Sequence, residues 1–546
     1  MGVSRLLVPS LLWVASASAS AATTTTTTTA EFSPNANHIF NSIHSSMRQW
    51  GSSLQHNGMS FFLATVPAGT QFYHGNANPA PVNGTEWLAF EPEHALVFAR
   101  PGPFKSPPPP HDDDNDNDNG QKGDLRKEKR AEVEQQQESE GGWLHTYTAA
   151  KDLRLLYADG MAAGKTANGT LDGEDRILFQ DNLPSDGAMH GERARAVEFC
   201  RMAREDFHGR LDGFLRMEAG FEIILCDFAR DLKEVRVTQV KSDKGSSGGP
   251  GGPGKGKGNG KGKGKGGPGG GADWMKAITA RYGGIGGHRV ALNYETFVSA
   301  YTYGLDLFHS TNETFQNPRL MHLSAQQLQP LRDDLHRLVL DHTAAENLYD
   351  WQAIADMVVE RYAREIRYLA SGDVATVADL HAEIETMLVP FIDYADRDPD
   401  AERERCAHQF LPAEVAVDGV AATAIHSVAR SICATMLAAW QEPDYQTAVD
   451  HFRELMNYLA WTTWKQCSGC GDHEVCVVPI WPMGTLEDYE HPQCRDFSNP
   501  MSPGQSYWGD RRGPRPHEPE DEDGPASGWL VRFVRYVLEI FLRMHI

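Results

Sequence analysis

The densest group of reactive side chains lies near the C-terminal end. It consists of residues that follow each other at intervals of three positions: Cys467, Cys470, His473 and Cys476. Thiolate and imidazole groups at close spacing are the usual ligands of structural zinc. In an oxidising compartment such cysteines form disulfides instead, and this spacing matches no standard zinc knuckle. We therefore expect disulfides and no metal site, with a redox-active Cys467–Cys470 pair as an alternative.

We expect all eight cysteines to be paired. An even number of cysteines in a secreted chain indicates a disulfide framework, whose connectivity the sequence leaves open. Cys200 with Cys226, and Cys406 with Cys433, are the simplest pairs by proximity. The other four cysteines are Cys467, Cys470, Cys476 and Cys494.

Two glycine-rich loops have residue types that bind anions. In Gly160–Thr166, Lys165 follows the second glycine as in a phosphate loop, but three residues separate the glycines where that loop has four. Gly283–Gly287 precedes His288 and Arg289, and backbone N–H groups in such a loop can cradle an anion. Tight bends explain both segments more simply, so we interpret them as turns.

Polar and aromatic residues also follow each other on successive predicted strands. His74 and Gly75 end one strand, Trp87 and Phe90 lie on the next, which runs into a short helix, and Glu222 lies on a later strand. This order resembles the ADP-ribosyltransferase fold. The resemblance implies that His74 holds the nicotinamide ribose of NAD. It also implies that Trp87 or Phe90 stacks on nicotinamide, and that Glu222 stabilises an oxocarbenium-like transition state.

Two hypotheses of function follow. A fixed carboxylate offsets the positive charge that builds as an N-glycosidic bond breaks, so the resemblance implies an ADP-ribosyltransferase-like enzyme or an NAD glycohydrolase. Without that chemistry, His74 is an ordinary histidine at a strand end and Glu222 a surface carboxylate. The chain is then a non-catalytic extracellular or cell-wall-associated protein of unknown ligand that needs no cofactor.

The apolar patterns of the sequence predict two folded parts that would position these residues. Residues 39–240 read as an α+β domain, a small mixed or antiparallel sheet with helices, because short apolar runs alternate with glycine turns. Residues 274–503 read as a mainly α-helical, disulfide-bonded domain. Apolar residues there recur at helical spacing, as in Ile354–Leu369, and Thr376 is a plausible cap for the helix that follows.

Low-complexity segments separate and flank these parts. We expect disorder in a Thr-rich lead-in at 23–38, an insertion at 104–141, a Gly/Lys/Pro linker at 241–273 and an acidic, Pro-rich tail at 504–527, because none of them can bury a core. Residues 528–546 predict an amphipathic helix that docks on the protein itself or on a membrane surface.

The N-terminus indicates secretion. Residues 1–22 combine an arginine, an apolar run of about ten residues and small residues suited to cleavage, which is typical of a signal peptide. We expect no transmembrane segment elsewhere. Three sequons, at Asn83, Asn168 and Asn312, predict N-glycosylation in that compartment.

The charge balance excludes one class of partner. Acidic residues number 74 against 51 basic ones, a net charge of −23. Nucleic-acid binding needs a basic face that displaces counterions from phosphates, and here the acidic excess belongs to the folded parts, while the strongly basic stretch is the linker. We therefore expect an extracellular ligand or wall component as partner, and no nucleic acid.

Several longer segments carry a second resemblance. Ser46–Gly51, Asn57–Phe62, Glu86–His94, Arg216–Ile223 and Trp461–Trp464 resemble a group of secreted filamentous-fungal proteins that have no assigned activity. That resemblance brings no function with it.

Overall fold

A computed structural model describes most of the two predicted folded parts. The described residues are 34–99, 142–166, 168–183, 191–240, 276–279, 284, 289–309, 316–341, 349–413, 417–467, 469–496 and 506–508. The predicted signal peptide, insertion, linker and C-terminal helix lie outside these residues, and so does Asn312.

A nine-stranded sheet forms the N-terminal part. Its strands are β1 (Asn57–Val66), β2 (Gln71–Asn76), β3 (Glu86–Ala89), β4 (Trp143–Ala149), β5 (Leu153–Gly160), β6 (Gly213–Met217), β7 (Phe221–Leu225), β8 (Leu232–Gln239) and β9 (Ala291–Ser299). They are arranged in the order β8-β4-β2-β3-β7-β6-β5-β1-β9. Within the described residues, β5 and β6 are the parallel pair and all other neighbours are antiparallel.

The position of each strand in the sheet agrees with its residue types. The central strands β6 and β7 are buried along their whole length, which fits a sheet covered on both faces. The edge strand β8 is exposed beyond its first residue and carries Lys233, Glu234 and Arg236. Charged side chains on an edge strand discourage pairing with another chain.

Helices cover both faces of the sheet. On the face that we call the cavity face lie α3 (Pro92–Leu96), a π-helical turn (Gly173–Leu178) and α4 (Glu192–Arg204). On the opposite face lie α1 (Ala36–Ser45) and α2 (Gln49–Leu54). The segment between these two helices is anchored to the sheet, since the backbone N–H of Met47 donates to the Tyr157 hydroxyl at 3.1 Å.

The C-terminal part is mainly helical. After α5 (Phe228–Asp231), which lies between β7 and β8, its helices are α6 (Ala325–Asp341), α7 (Trp351–Ser371), α8 (Val377–Leu388), α9 (Pro399–His408), α10 (Val420–Gln441), α11 (Tyr445–Leu459) and α12 (Leu486–Glu490). Two short antiparallel strands, β10 (Glu474–Val477) and β11 (Gln493–Asp496), follow the bundle. Helix α12 lies between them in the sequence. The predicted α+β and helical, disulfide-bonded parts are confirmed.

One helix, α10, bears on the expectation that no segment crosses a membrane. By length and composition it is apolar enough to cross a membrane, although we expected no such segment. However, 67% of its apolar window is buried inside the protein, where α1, α9 and α11 pack against it. An apolar helix that is mostly buried among other helices is typical of a core position.

All eight cysteines are paired, as the sequence predicts. The pairs expected from proximity, Cys200–Cys226 and Cys406–Cys433, are both present. The dense cluster forms two further bridges, Cys467–Cys476 and Cys470–Cys494. Its thiols are consumed in these bonds, which leaves no thiolates to bind zinc.

The structure also differs from the predicted boundaries. Strand β9 lies beyond the predicted linker yet pairs with β1, so the sheet draws on both sides of that linker. Helix α1 begins at Ala36, inside the predicted lead-in. In the predicted tail, Trp508 is buried and its indole N–H donates to the carbonyl of Met483 at 2.8 Å. Short aromatic segments that pack on a distant surface have no periodicity by which the sequence reveals them.

Candidate active site: an acidic cavity beside the central strands

A cavity opens on the cavity face where β2 and β3 separate. The two strands pair at one position, Tyr73 opposite Ala89, and a pocket that is partly open to solvent lies beside this pair. Helix α3 and the first turn of α4 complete its walls. We call it the acidic cavity, because its lining includes Glu86, Glu192, Glu218 and Glu222, together with His74, Trp87 and His94.

The strand register decides which side chains share the cavity face. Ala89 lies opposite Glu222, and Glu222 lies opposite Arg216. Side chains of directly opposed residues project from the same face, and alternate residues along a strand share a face. Trp87 is therefore on the same face as Glu222, and the sheet brings these two predicted residues together.

His74 has a different orientation. It follows Tyr73, which shares the face of Ala89 and Glu222, so the alternation directs the His74 side chain to the opposite face. Its ring lies 5.6 Å from that of Phe228, centroid to centroid. Its Nδ1 lies 2.8 Å from the Trp87 carbonyl oxygen, and this contact joins β2 to β3 beside the cavity. Donation from Nδ1 places the lone pair of the neutral ring on Nε2.

Gly75 has a clear steric role at this site. A Cβ atom at this position would lie 2.0 Å from the carbonyl oxygen of Ala95 in α3. Only glycine allows the backbone of α3 to approach β2 so closely. The His74-Gly75 dipeptide therefore positions the helix that forms one wall of the cavity.

A buried arginine holds the carboxylates at the cavity floor. Arg216 is fully buried, and its guanidinium lies 3.0 Å from Glu222 Oε1 and 3.0 Å from Glu174 Oε2. It also forms an ion pair with Glu192. Three carboxylates from β7, the π-helical turn and α4 thus converge on one cation, which fixes the position of Glu222.

A buried lysine continues this network. The Lys165 ammonium lies 2.6 Å from Glu218 Oε2 and 3.3 Å from Glu192 Oε2, and its side chain is 1% exposed. This contact accounts for Lys165, which is used in an internal ion pair and does not face an anion site. The interpretation of Gly160–Thr166 as a turn is consistent with this arrangement.

The network has more carboxyl groups than cations. Four buried glutamates and Asp175 share three cations: Arg216, Lys165 and Arg195. Arg195 lies 2.9 Å from Asp175 and 3.9 Å from Glu174. Burial raises the pKa of both Glu174 and Glu218. Burial also lowers the pKa of His94, so that histidine adds no positive charge at neutral pH. A protonated carboxyl group or a cationic ligand can supply the missing positive charge.

The aromatic wall already faces a cation. The guanidinium carbon of Arg193 lies 5.7 Å from the ring centroid of Trp87, a cation–π arrangement. Arg193 also lies 3.5 Å from Glu86, and its side chain is half-exposed. Trp87 therefore combines a partly exposed indole with an acidic border.

The remaining predicted residues are placed away from the cavity. Phe90 is buried on the opposite face of the sheet, where its ring packs against Phe72 at 5.1 Å. Of the two aromatic candidates, only Trp87 lines the cavity. The sequon residue Asn83 is exposed, whereas the Asn168 amide donates to the Tyr507 carbonyl at 3.3 Å; glycosylation of either stays a prediction.

Sequence reasoning missed the ion-pair network. Arg216, Glu174, Glu192, Glu218 and Lys165 were not among the predicted site residues. One signal was present: Arg216 and Glu222 each interrupt an apolar strand. Charged residues are rarely buried unless they are paired, so two opposite charges in neighbouring buried strands predict an internal ion pair.

Comparison with known proteins places this site within a fungal family model. Residues 32–250 match the model described as the YPL277C N-terminal domain. That range contains the acidic cavity and all the strands of the sheet except β9. The predicted similarity to uncharacterised fungal proteins is confirmed for this part of the chain.

Two curated proteins of Saccharomyces cerevisiae are similar over the same length of chain. The uncharacterized protein YOR389W is 33% identical over 210 residues, and the uncharacterized protein YPL277C is 34% identical over 211 residues. Each alignment covers 37% of this chain. It covers 33% of the length of YOR389W and 42% of the length of YPL277C. The match thus spans less than half the length of either relative. No solved structure gives a significant match.

Proposed function

We propose that the acidic cavity binds a small cationic ligand, and that the chain is an ADP-ribosyltransferase-like enzyme or NAD glycohydrolase acting on the pyridinium riboside of NAD. One observation carries the proposal: Glu222 and Trp87 face the same cavity, whose buried carboxyl groups outnumber their cations. The resemblance of the residue order along the sequence to that of ADP-ribosyltransferases favours the same substrate.

Charge complementarity supports a cationic ligand. The nicotinamide ring of NAD is a pyridinium, and a cation over an indole face gains cation–π attraction. Trp87 provides such a face, and Arg193 already lies against it. The surrounding glutamates add an attraction that water screens less effectively in a partly buried cavity.

The reaction requires a carboxylate at a fixed place. When the bond between the ribose C1′ and the pyridinium nitrogen breaks, its electron pair leaves with nicotinamide, which becomes neutral. The positive charge then moves to the ribose as an oxocarbenium ion. Water or an acceptor nucleophile attacks C1′ and releases a proton to the solvent. Glu222 is suited to stabilise this charge, because Arg216 holds its carboxylate in place before the reaction begins.

In this proposal His74 acts through another residue. Its hydrogen bond to the Trp87 carbonyl holds β3 beside β2 where the strands have little other pairing. His74 is thus a positioning residue for Trp87. A direct contact with the ribose stays a prediction of the sequence resemblance.

The test is NAD consumption by the purified full chain. We expect turnover in the wild type and a loss of about 10²–10³-fold in Glu222→Gln, the size seen when one preorganised electrostatic partner is removed. The matched control is Glu205→Gln, which neutralises an exposed carboxylate beside the end of α4. Equal turnover in Glu222→Gln and Glu205→Gln would refute the role of Glu222.

Absence of turnover in the wild type would remove the enzyme proposal and favour the other hypothesis, a non-catalytic extracellular protein. Binding of nicotinamide mononucleotide to the same protein, measured by calorimetry, separates a ligand-binding cavity from a purely structural one. In that case we expect Trp87→Leu to weaken binding, since stacking on an aromatic ring contributes about 1–3 kcal/mol per base.

We also propose that the protein is secreted. Four disulfides support an oxidising compartment, in agreement with the predicted signal peptide. Expression in a fungal host, followed by assay of the culture medium and of cell extracts, tests this. Retention of the chain in the cytosol with reduced cysteines would contradict it.

A further inference from the structure

Two helices of the C-terminal part bring together three side chains of metal-binding type. Glu404 and His408 lie four residues apart on α9, and His426 lies on α10. Their facing atoms are close: His426 Nε2 lies 3.2 Å from His408 Nδ1 and 3.4 Å from Glu404 Oε2. His408 Nδ1 lies 3.8 Å from the same carboxylate oxygen.

These separations fit the edges of a coordination tetrahedron. Zinc binds imidazole nitrogen and carboxylate oxygen at about 2.0–2.1 Å, so ligand atoms around one tetrahedral ion stand about 3.4 Å apart. The three observed distances bracket this value. From this geometry we propose that Glu404, His408 and His426 form a Zn²⁺ site with three protein ligands and a fourth position open to solvent.

The surrounding structure holds the three ligands in place. The Cys406–Cys433 disulfide joins α9 to α10, and Cys406 lies between Glu404 and His408 in sequence. Arg430 donates its Nε–H to Glu404 Oε1 at 2.7 Å, which orients the other oxygen toward the histidines. Partners of this kind fix ligand orientation in metal sites.

The charges select the type of ion. Guanidinium groups of Arg403 and Arg430 lie beside Glu404 and offset part of its attraction for a cation. Ca²⁺ and Mg²⁺ depend on several oxygen ligands and would gain little here. Zn²⁺ gains from imidazole nitrogens, which suits a site with two histidines and one carboxylate.

Binding requires a change of tautomer at His408 and a rotation of its ring away from the Glu404 carbonyl oxygen. Its Nδ1 lies 3.0 Å from the Glu404 carbonyl oxygen, so without metal this nitrogen carries the proton. A neutral ring can carry it on Nε2 instead, and Nδ1 then offers its lone pair to the ion. No covalent bond and no oxidation are involved.

The site was not apparent in the sequence, where we expected no metal. His426 lies 18 residues from His408, and part of the intervening segment falls outside the described residues. No sequence motif links the ligands. The site arises from the packing of α9 against α10.

Calorimetric titration of the full, untagged chain with ZnCl₂, after removal of metal with EDTA, tests the proposal. We expect one Zn²⁺ per chain in the wild type and a rise in Tm with Zn²⁺ that CaCl₂ and MgCl₂ do not reproduce. His426→Gln and His408→Gln should each weaken binding beyond the about 10- to 100-fold that a change in outer-sphere partners causes.

The matched control is His451→Gln on α11, which should bind Zn²⁺ like the wild type. Zinc-free unfolding of each variant shows whether it is folded, and Glu404→Gln provides a second ligand variant if one histidine variant is unstable. Equal Zn²⁺ binding by His426→Gln and His451→Gln, or no binding by the wild type, would overturn the proposal. NAD turnover plays no part in this test.

Discussion

The sheet and the helical bundle handle charge in different ways. At the acidic cavity, Arg216 and Lys165 are almost completely buried among four glutamates, and the ion pairs connect distant parts of the chain. In the helical part, pairs such as Arg453–Asp450 are half-exposed and three residues apart. There, apolar packing around α10 and the Cys406–Cys433 disulfide hold the helices together.

The difference indicates where function is concentrated. A buried ion pair contributes little to stability beyond what apolar residues of equal volume would give, because desolvation offsets the attraction. Buried charged groups with shifted pKa values around a cavity are typical of active sites. The exposed pairs of the bundle need no such explanation. The proposals above therefore place the larger chemical demand on the sheet.

The largest expected effect is the loss of Arg216. In Arg216→Met, three glutamates lose a shared buried cation, and we expect the free energy of unfolding to fall by about 3–5 kcal/mol. Arg453→Met removes an exposed pair and should cost less than about 1 kcal/mol. Urea unfolding of both variants measures the contrast. Similar losses in the two would show that burial of charge does not distinguish the sheet from the bundle.

The pH dependence of stability tests whether the sheet contains a second buried titrating group, at Asp159. Burial raises the pKa of this β5 carboxyl from 3.8 to about 7, although the Ser60 N–H donates to it at 2.7 Å. The folded state therefore holds a proton that the unfolded state releases. The stabilisation is complete below the unfolded pKa and is lost as pH rises through about 7.

Asp159→Asn removes this titration and keeps an oxygen to accept from Ser60. Between about pH 4 and pH 8, we expect the wild type to lose on the order of 4 kcal/mol of stability relative to the variant, at about 1.4 kcal/mol per pKa unit. Urea unfolding at a series of pH values measures the difference. A difference that stays constant across this range would mean that Asp159 titrates normally in the folded protein.

Much of the fold could be predicted from local sequence signals. Short apolar runs correctly indicated strands such as β2, β3 and β7, and the periodic residues Ile354–Leu369 correctly indicated α7. Two disulfides followed from proximity alone. These features depend on residues that are close in the chain, which is the range over which a sequence pattern carries information.

The rest depends on contacts between distant residues. Strand β9 joins the sheet from beyond the linker, and the partners of Arg216 come from three separate elements. The sequence did place Trp87 and Glu222 on strands that prove to be neighbours, while the one-residue alternation directs His74 to the other face. A pattern of residue types does not fix such a register, because a shift of one residue reverses every side chain.

The next largest expected effect on stability concerns the Cys406–Cys433 disulfide of the helical bundle. Replacing Cys406 and Cys433 together by alanine opens a link between residues 27 apart, and loop-closure entropy gives an expected loss of about 3.5 kcal/mol. Alanine is suitable because both sites are fully buried and it introduces no hydroxyl group into the core. Urea unfolding measures the loss. If the alanine variant is as stable as the wild type, apolar packing alone holds the bundle.

The smallest expected effect concerns the start of α8. Thr376 caps this helix, since its hydroxyl oxygen accepts from the Asp379 N–H at 3.1 Å, and Thr376→Ala should cost about 1 kcal/mol. Thr386 is the matched control within the same helix, where its hydroxyl donates to the Ala382 carbonyl at 2.9 Å. Thr386→Ala removes only a bond that competes with the helix and introduces a better helix former, so we expect no loss or a slight gain. Thermal unfolding of both variants shows whether the loss of stability depends on the N-cap position of the threonine or on the replacement of a threonine as such. Equal losses would mean that the capping hydrogen bond adds nothing, and that even the local stability of the bundle comes from its core.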